Sequence, residues 1–173
     1  MEKYIPDIYV KSIYYIDYEK LKERGIKCIL FDLDNTVTPL SIKKPNKKIK
    51  DLFIKLKGMG FKLIVFSNSG KKRIKPFKEE LEVDCAFSCK KPMRKKFDVI
   101  LRDYKYAISE VVIVGDNIVT DVLGGNKVGI TTILVNPISN KERPQAKVLR
   151  LYEKHIMKKL ARRELFFRGK YYE

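Results

Sequence analysis

The sequence contains no tryptophan, a single histidine and only three cysteines. The histidine is His155, and the cysteines lack the spacing of metal ligands. A zinc cluster, a Cys–His pair or a Ser–His triad therefore cannot be assembled from these residues. Any catalysis must use carboxylates, lysines and hydroxyls.

The sequence also lacks a long apolar run and a signal peptide. No apolar stretch approaches the roughly 18 residues that a membrane-spanning helix needs. The first seven residues lack the apolar core of a secretory signal, so we expect a cytoplasmic protein with reduced thiols. With 173 residues, 45% of them hydrophobic and 34% charged, the chain has the size and composition of one folded domain spanning residues 1–173.

Acidic residues are scarce relative to basic ones, with 21 against 38, and the net charge is +17. The excess is uneven, because residues 43–96 contain 18 basic and 5 acidic residues, and residues 141–173 contain 11 and 4. Such an excess favours an anionic partner: nucleic acid, a membrane surface or a polyanionic substrate. A solvated lysine-rich surface has the same composition, so composition leaves these alternatives open.

Hydrophobic runs alternate with amphipathic stretches from residue 26 onward. This pattern predicts a doubly wound, Rossmann-like α/β fold with a parallel sheet of about five strands and flanking helices. A basic helix is predicted at about 145–163, with an apolar stripe that either packs on the protein's own sheet or lies in a membrane interface. Residues 166–173 have no assignment. The predicted strands are Ile26–Phe31, Lys62–Phe66, Cys85–Phe87, Val111–Val114 and Thr131–Val135, and the helices between them are Asn46–Lys57, Lys71–Leu81, Met93–Tyr104 and Thr120–Asn126.

Polar side chains follow four of the predicted strands, where ligands bind in an open parallel sheet. Asp32 and Asp34 repel each other unless a cation or a shared proton relieves them. Asp116 and Asp121, from a neighbouring strand end, would complete an all-oxygen site of the kind that Mg²⁺ prefers. Lys91 and Ser67, together with backbone amides at the helix start near Ser69-Gly70, would bind the oxygens of a phosphoryl group. A metal beside an anion clamp predicts phosphoryl transfer.

Four parts of the chain resemble, in their order, the motifs of the haloacid dehalogenase (HAD) superfamily of phosphatases. They span residues 31–121 and are Phe31–Val37, Ser67, Lys91-Pro92 and Gly115–Asp121. The segments 4–13, 120–126 and 132–137 resemble the superfamily's YqeG-like subgroup in subfamily IIIA, which widens the resemblance to most of the chain. The resemblance implies a HAD-like fold and a phosphoric monoester hydrolase that forms an aspartyl-phosphate.

The roles that the resemblance implies fall on individual residues. Asp32 would be the nucleophile, and Asp34 would act first as general acid and then as base. The carboxylates of Asp32 and Asp116 and the backbone carbonyl of Asp34 would hold Mg²⁺, with Asp121 beside Lys91 outside the metal's ligands. The predicted phosphate-binding residues are Ser67, Asn68 and Lys91.

Simpler explanations exist for single motifs. The Asp32–Thr36 segment by itself resembles an Asx-turn at a strand end, and Ser67 can serve as a helix cap. Asn117 either caps a turn or contacts a metal-bound water. Lys90 competes with Lys91 for the phosphate, and Lys91 is preferred because the family's lysine directly precedes the proline.

The spacing of the motifs leaves no room for an inserted cap domain, so we expect a site open to solvent and a large or surface-bound substrate. The YqeG-like subgroup is similar in turn to eukaryotic phosphatases that act on phosphatidylglycerophosphate. The first hypothesis is therefore a Mg²⁺-dependent phosphatase of a phospholipid head group that makes peripheral contact with an anionic membrane through basic residues around the site. The alternatives are a nucleic-acid- or ribosome-associated protein with a secondary phosphatase site, and a soluble phosphatase of nucleotides or sugar phosphates.

Overall fold

The computed structural model describes residues 1–173 and contains a single sheet of six parallel strands. The strand order is β1-β6-β5-β2-β3-β4, with helices on both faces, so the predicted doubly wound fold is confirmed. The strands are β1 (Ile8–Tyr9), β2 (Cys28–Phe31), β3 (Lys62–Phe66), β4 (Asp84–Ala86), β5 (Val111–Gly115) and β6 (Thr131–Leu134), and the helices are α1 (Tyr18–Glu23), α2 (Lys47–Gly58), α3 (Lys71–Leu81), α4 (Lys95–Asp103), α5 (Leu123–Val128) and α6 (Pro144–Arg162).

The central strands are the ones that the sequence identifies most directly. All residues of β2 and β5 are buried, and both strands are continuous apolar runs, as expected for a parallel sheet covered on both faces. One face of the sheet packs against α2 and α3 through Phe53 and Phe77, and the other packs against α4 through Phe97. Only α2, α3 and two strands lie between residues 36 and 91, so no cap domain is inserted.

The sixth strand, β1, is an addition to the about five predicted. It has only two residues and pairs with β6 through Ile8 and Ile133, so it is too short to show a hydrophobic period. The C-terminal tail, which has no predicted structure, forms an antiparallel bridge to it. Tyr9 and Tyr172 exchange two backbone hydrogen bonds of 2.7 and 2.9 Å, and the tail thereby covers the sheet edge.

The predicted helix at Thr120–Asn126 is shifted in the structure. A π-helical turn, Ile118–Val122, precedes α5, and the Asn117 side chain accepts hydrogen bonds from the N–H groups of Val119 and Thr120. Asn117 therefore caps this turn, which is one of its two predicted roles.

The basic C-terminal helix α6 packs on the protein's own fold. Ile156 and Leu160 are buried in a cluster with Tyr9, Leu134 and Phe166, which is the packing alternative for its apolar stripe. No helix of the structure combines the length and the apolar composition that crossing a membrane requires.

Candidate active site

The sheet order brings the predicted motifs together, because β5, β2 and β3 are neighbours and their carboxyl ends share one edge. A cleft of about 320 Å³ opens at this edge. Six of the seven predicted site residues line the cleft: Asp32, Asp34, Ser67, Asn68, Lys91 and Asp116. The seventh, Asp121, is buried next to Lys91.

Lys91 lies at the centre of the cleft floor. Its Nζ atom is 2.7 Å from Oδ1 of Asp32 and 2.6 Å from Oδ1 of Asp121, and its side chain is only 1% exposed. Burial by itself would lower the pKa of Lys91, but the two carboxylates raise it above its ordinary value. An ammonium group has three protons, so one remains for a phosphoryl oxygen. Lys90, by contrast, is exposed.

Three buried carboxylates, those of Asp32, Asp116 and Asp121, have oxygens within 4.8 Å of one another. Burial raises the pKa of Asp32 to about 8, and Lys91 only partly offsets this. Burial likewise raises the pKa of Asp116 to about 6, although Arg150 opposes the shift. A divalent cation would relieve this crowding, because it favours the ionised forms.

The donor set fits Mg²⁺, a cation that takes oxygen ligands. The backbone carbonyl of Asp34 accepts no hydrogen bond within the chain, and the hydroxyl of Thr36 lies between Asp32 and Asp116, at 3.3 and 3.1 Å from their carboxylate oxygens. Asp121 is less available, because Lys91 contacts one of its oxygens and the N–H of Asn117 donates to the other at 3.2 Å. These contacts are consistent with the predicted place of Asp121 outside the metal's ligands.

Gly115 makes room for the Asp121 carboxylate. A Cβ atom at position 115 would lie 2.1 Å from Cγ of Asp121, far inside van der Waals contact. The glycine at the end of β5 therefore has a steric function, because any side chain there would push Asp121 away from Lys91.

Asp34 is held by residues for which the sequence predicts no contact with it. Its carboxylate accepts a 2.5 Å hydrogen bond from the Ser69 hydroxyl and a 2.9 Å ion pair from Nε of Arg73. Arg143 approaches the same carboxylate at 3.5 Å. Ser69 lies within a motif and Arg73 within a run of basic residues. Neither position by itself indicates a contact with Asp34.

Ser67 and Asn68 differ in what their side chains can still bind. The Ser67 hydroxyl accepts from the N–H of Ser69, which leaves its own proton to donate to a phosphoryl oxygen. The Asn68 side chain bonds to both the N–H and the carbonyl of Lys91, at 2.7 and 3.2 Å. Asn68 therefore positions the Lys91 backbone with its side chain.

One side of the cleft is walled by residues 138–150, which we term the covering segment. Asn35, inside the first motif, anchors this segment through three hydrogen bonds of 2.9 Å. The backbone carbonyl of Asn35 accepts from the N–H of Ile138, and its side-chain oxygen accepts from the Ser139 hydroxyl. The side-chain amide of Asn35 donates to the carbonyl of Lys141. The site is thus less open than the absence of a cap domain predicts.

Arg150, near the start of α6, connects the covering segment to the cleft floor. Its guanidinium lies 2.5 Å from Asp116, 2.6 Å from Glu142 and 2.7 Å from Glu153. Glu153 is itself buried and accepts a 3.0 Å hydrogen bond from the N–H of Ile118, at the start of the π-helical turn. The Arg150–Glu153 spacing of three residues on a helix is the only sequence signal for this network.

Comparison with known proteins gives matches to one family. Residues 88–158 match the HAD-hydrolase-like family. Over 92% of its length the chain is 36% identical to the "Probable phosphatase YqeG" of Bacillus subtilis (strain 168), of which it covers 93%.

Two further matches are more distant. The chain is 30% identical, over 81% of its length, to 43% of "Phosphatidylglycerophosphate phosphatase 1, chloroplastic/mitochondrial" of Arabidopsis thaliana. The crystal structure of a probable yrbi family phosphatase from Pseudomonas syringae pv. phaseolica 1448a superposes with a TM-score of 0.51 at 15% identity, covering 86% of this chain and 99% of that one. At that identity the superposition shows a shared fold.

Proposed function

The chain belongs to the HAD-like hydrolases as a relative of the YqeG phosphatase, and from that premise we propose that it is a Mg²⁺-dependent phosphomonoesterase that acts on a phospholipid head group. The observation that carries the proposal is the arrangement around Asp32. Its carboxylate lies on the floor of the cleft and is held by Lys91. Asp34 and Ser67 line the same cleft.

In the first step, an Asp32 carboxylate oxygen would attack phosphorus while the bond from phosphorus to the leaving alcohol breaks. Asp34 would give its proton to the leaving oxygen. The third proton of Lys91 and the hydroxyl proton of Ser67 would bind the non-bridging phosphoryl oxygens, whose charge changes during transfer.

In the second step, water would attack the phosphorus of the aspartyl-phosphate, and the bond to Asp32 would break to release inorganic phosphate. Asp34, now ionised, would take the proton of the attacking water. Ser69 and Arg73 orient the Asp34 carboxyl group for both steps. Mg²⁺, held by Asp32, Asp116 and the Asp34 carbonyl, would neutralise phosphoryl charge.

The lipid substrate is supported by the relative from Arabidopsis thaliana and by the surface next to the cleft. Val148, Leu151 and Tyr152 form an exposed apolar strip on the outer face of α6, 71%, 66% and 46% exposed. Lys147 and Lys154 flank this strip. An apolar strip beside lysines favours the surface of an anionic membrane, where each basic residue contributes roughly 1 kcal/mol. The strip would hold the cleft near lipid head groups.

The test is phosphate release with Mg²⁺ from phosphatidylglycerophosphate in mixed micelles, nucleotides, sugar phosphates and phosphorylated RNA ends. We expect the lipid to have the highest kcat/KM. Asp32→Asn should abolish release from every substrate, because an amide is not a nucleophile here, while circular dichroism shows an intact fold. Near-wild-type activity of Asp32→Asn would contradict the mechanism. Preference for a nucleotide, a sugar phosphate or RNA would instead favour one of the alternative functions.

A further inference from the structure

A second cleft, of about 470 Å³, lies beside the catalytic one, and most of the residues that line it are basic. Four basic side chains, those of Lys43, Lys72, Arg73 and Arg143, line it together with Gly70 and Pro76. No carboxylate lines this cation cleft. The four residues come from three separate parts of the chain, the loop before α2, the first turn of α3 and the covering segment, so only the fold brings them together.

Lys43 and Lys72 have no acidic partner, although three lysines that follow Lys43 in the sequence do. Lys44 and Lys50 pair with Glu80, and Lys47 pairs with Asp51. Lys43 and Lys72 line the cation cleft and form no ion pair in the structure, so no carboxylate neutralises their charges. Converging like charges repel one another, and a bound anion would relieve them.

The cation cleft adjoins the catalytic cleft on the side of Asp34. Arg73 lines the cation cleft and at the same time binds the Asp34 carboxylate through Nε at 2.9 Å. Arg143 lines both clefts and lies 3.5 Å from Asp34. The general acid must contact the leaving oxygen, so the leaving alcohol has to lie on this side of the phosphoryl group.

We propose that the cation cleft binds a second phosphate, a monoester or a diester, that the leaving alcohol of the substrate carries. The proposal rests on the proposed function, because it assumes that Asp34 marks the leaving-group side. It narrows the substrate class to phosphomonoesters with another phosphate a short linker away. A phospholipid whose head group ends in a phosphomonoester has this chemistry, and so does a soluble bisphosphate.

The test compares two double variants with the same change in net charge. Lys43→Gln/Lys72→Gln removes the two unpaired lysines of the cation cleft, and Lys44→Gln/Lys71→Gln removes their exposed neighbours, which do not line it. The substrates are phosphatidylglycerophosphate in mixed micelles, its deacylated head group, which keeps both phosphates, and p-nitrophenyl phosphate, which has only one.

We expect Lys43→Gln/Lys72→Gln to lower kcat/KM by about 10- to 100-fold for both two-phosphate substrates, through KM, because each lost charge-assisted contact costs about a factor of ten or less. Turnover of p-nitrophenyl phosphate should stay unchanged, and the control double variant should behave as wild type. An equal loss on all three substrates, or an equal loss in the control, would overturn the proposal. A loss confined to the micellar lipid would also overturn it, because that pattern indicates attraction to the lipid surface alone.

Binding separates this proposal from the proposed function. Calorimetric titration of the deacylated head group into Asp32→Asn protein needs no turnover, and the cleft variant should weaken that binding about tenfold or more relative to the control. If wild-type protein releases phosphate from none of the substrates, the phosphatase proposal fails. Head-group binding that is insensitive to Lys43→Gln/Lys72→Gln would refute the cation cleft by itself.

Discussion

The floor of the catalytic cleft and its wall are built from the chain in different ways. The floor residues Asp32, Ser67 and Asp116 each directly follow a strand, so the hydrogen-bonded sheet places them. The wall is the covering segment, which reaches the floor through Asn35 from more than 100 residues away in the sequence. In the proposed mechanism the floor holds the groups that would react, whereas the wall borders the space that a substrate would enter. On the proposed function, the chemistry would therefore depend on residues that the sheet places, and access to them on a segment distant in the sequence.

After the loss of activity expected for Asp32→Asn, the largest expected effect also belongs to the floor. Asp34→Asn should lower kcat by roughly 10²–10⁴-fold, because the amide gives no proton to the leaving oxygen. The loss should be greatest for alkyl phosphates and smallest for p-nitrophenyl phosphate, whose leaving group needs little protonation. Steady-state kinetics on both substrate types measure this. A loss of the same size for good and poor leaving groups would show that Asp34 acts in some other way than as a proton donor.

A change in the wall should affect stability more than chemistry. Arg150→Gln leaves the buried carboxylates of Asp116 and Glu153 without their shared cation and should lower the free energy of unfolding by about 3 kcal/mol, measured with urea. The matched control is Arg102→Gln. Arg102 pairs with Asp103 on the surface, and its loss should cost less than about 1 kcal/mol. If both variants are equally stable, Arg150 does not secure the wall.

The smallest expected effect is the pH dependence of metal binding at the floor. The pKa of Asp32, about 8, and that of Asp116, about 6, lie above those of the unfolded chain, so these groups stabilise the metal-free fold at low pH. That stabilisation is lost as the pH rises through the two values. Mg²⁺ needs the ionised carboxylates, so it should raise Tm more above the pKa of Asp32 than below that of Asp116.

Scanning calorimetry with and without Mg²⁺, at one pH above the pKa of Asp32 and at one below the pKa of Asp116, measures this difference. Asp116→Asn removes one predicted ligand and should reduce the Mg²⁺-dependent rise in Tm at both pH values. The same rise at both pH values in wild-type protein would argue against a metal site made of these carboxylates.

The bounds of β3 and α3 were predictable, whereas β2 begins at Cys28, two residues after its predicted start, and β1 was not predicted. The predicted bounds of β3 and α3 agree with the structure, because β3 is a continuous apolar run after Lys62, α3 has a helical hydrophobic period, and turn residues bound both. The two-residue strand β1 and the C-terminal tail are held by partners distant in sequence, Ile133 and Tyr9, and carry no local signal. Short segments whose hydrogen bonds are all long-range have no period to detect.

The same division applies to the candidate site. Asp32, Asp34, Ser67, Lys91 and Asp116 could be proposed from the sequence, because each follows a predicted strand and the carboxyl ends of parallel strands meet. The contacts that Arg73, Arg143 and Arg150 make with these carboxylates could not, since the three are among 38 basic residues. Even the three-residue spacing of Arg150 and Glu153 gives no information about Asp116. The fold decides which carboxylate each of these arginines contacts.

By itself, the sequence determined the parallel α/β sheet and the reactive groups at its edge, because strand periodicity and the residue that follows a strand are local properties. Only the tertiary structure decided how the site is enclosed and where its unpaired cations converge. Those features arise when α6 and the covering segment pack over the floor, and such packing depends on Asn35, Arg150 and Glu153 meeting groups far from them along the chain. Electrostatic and hydrogen-bond energies depend on distances in space, which sequence separation does not specify.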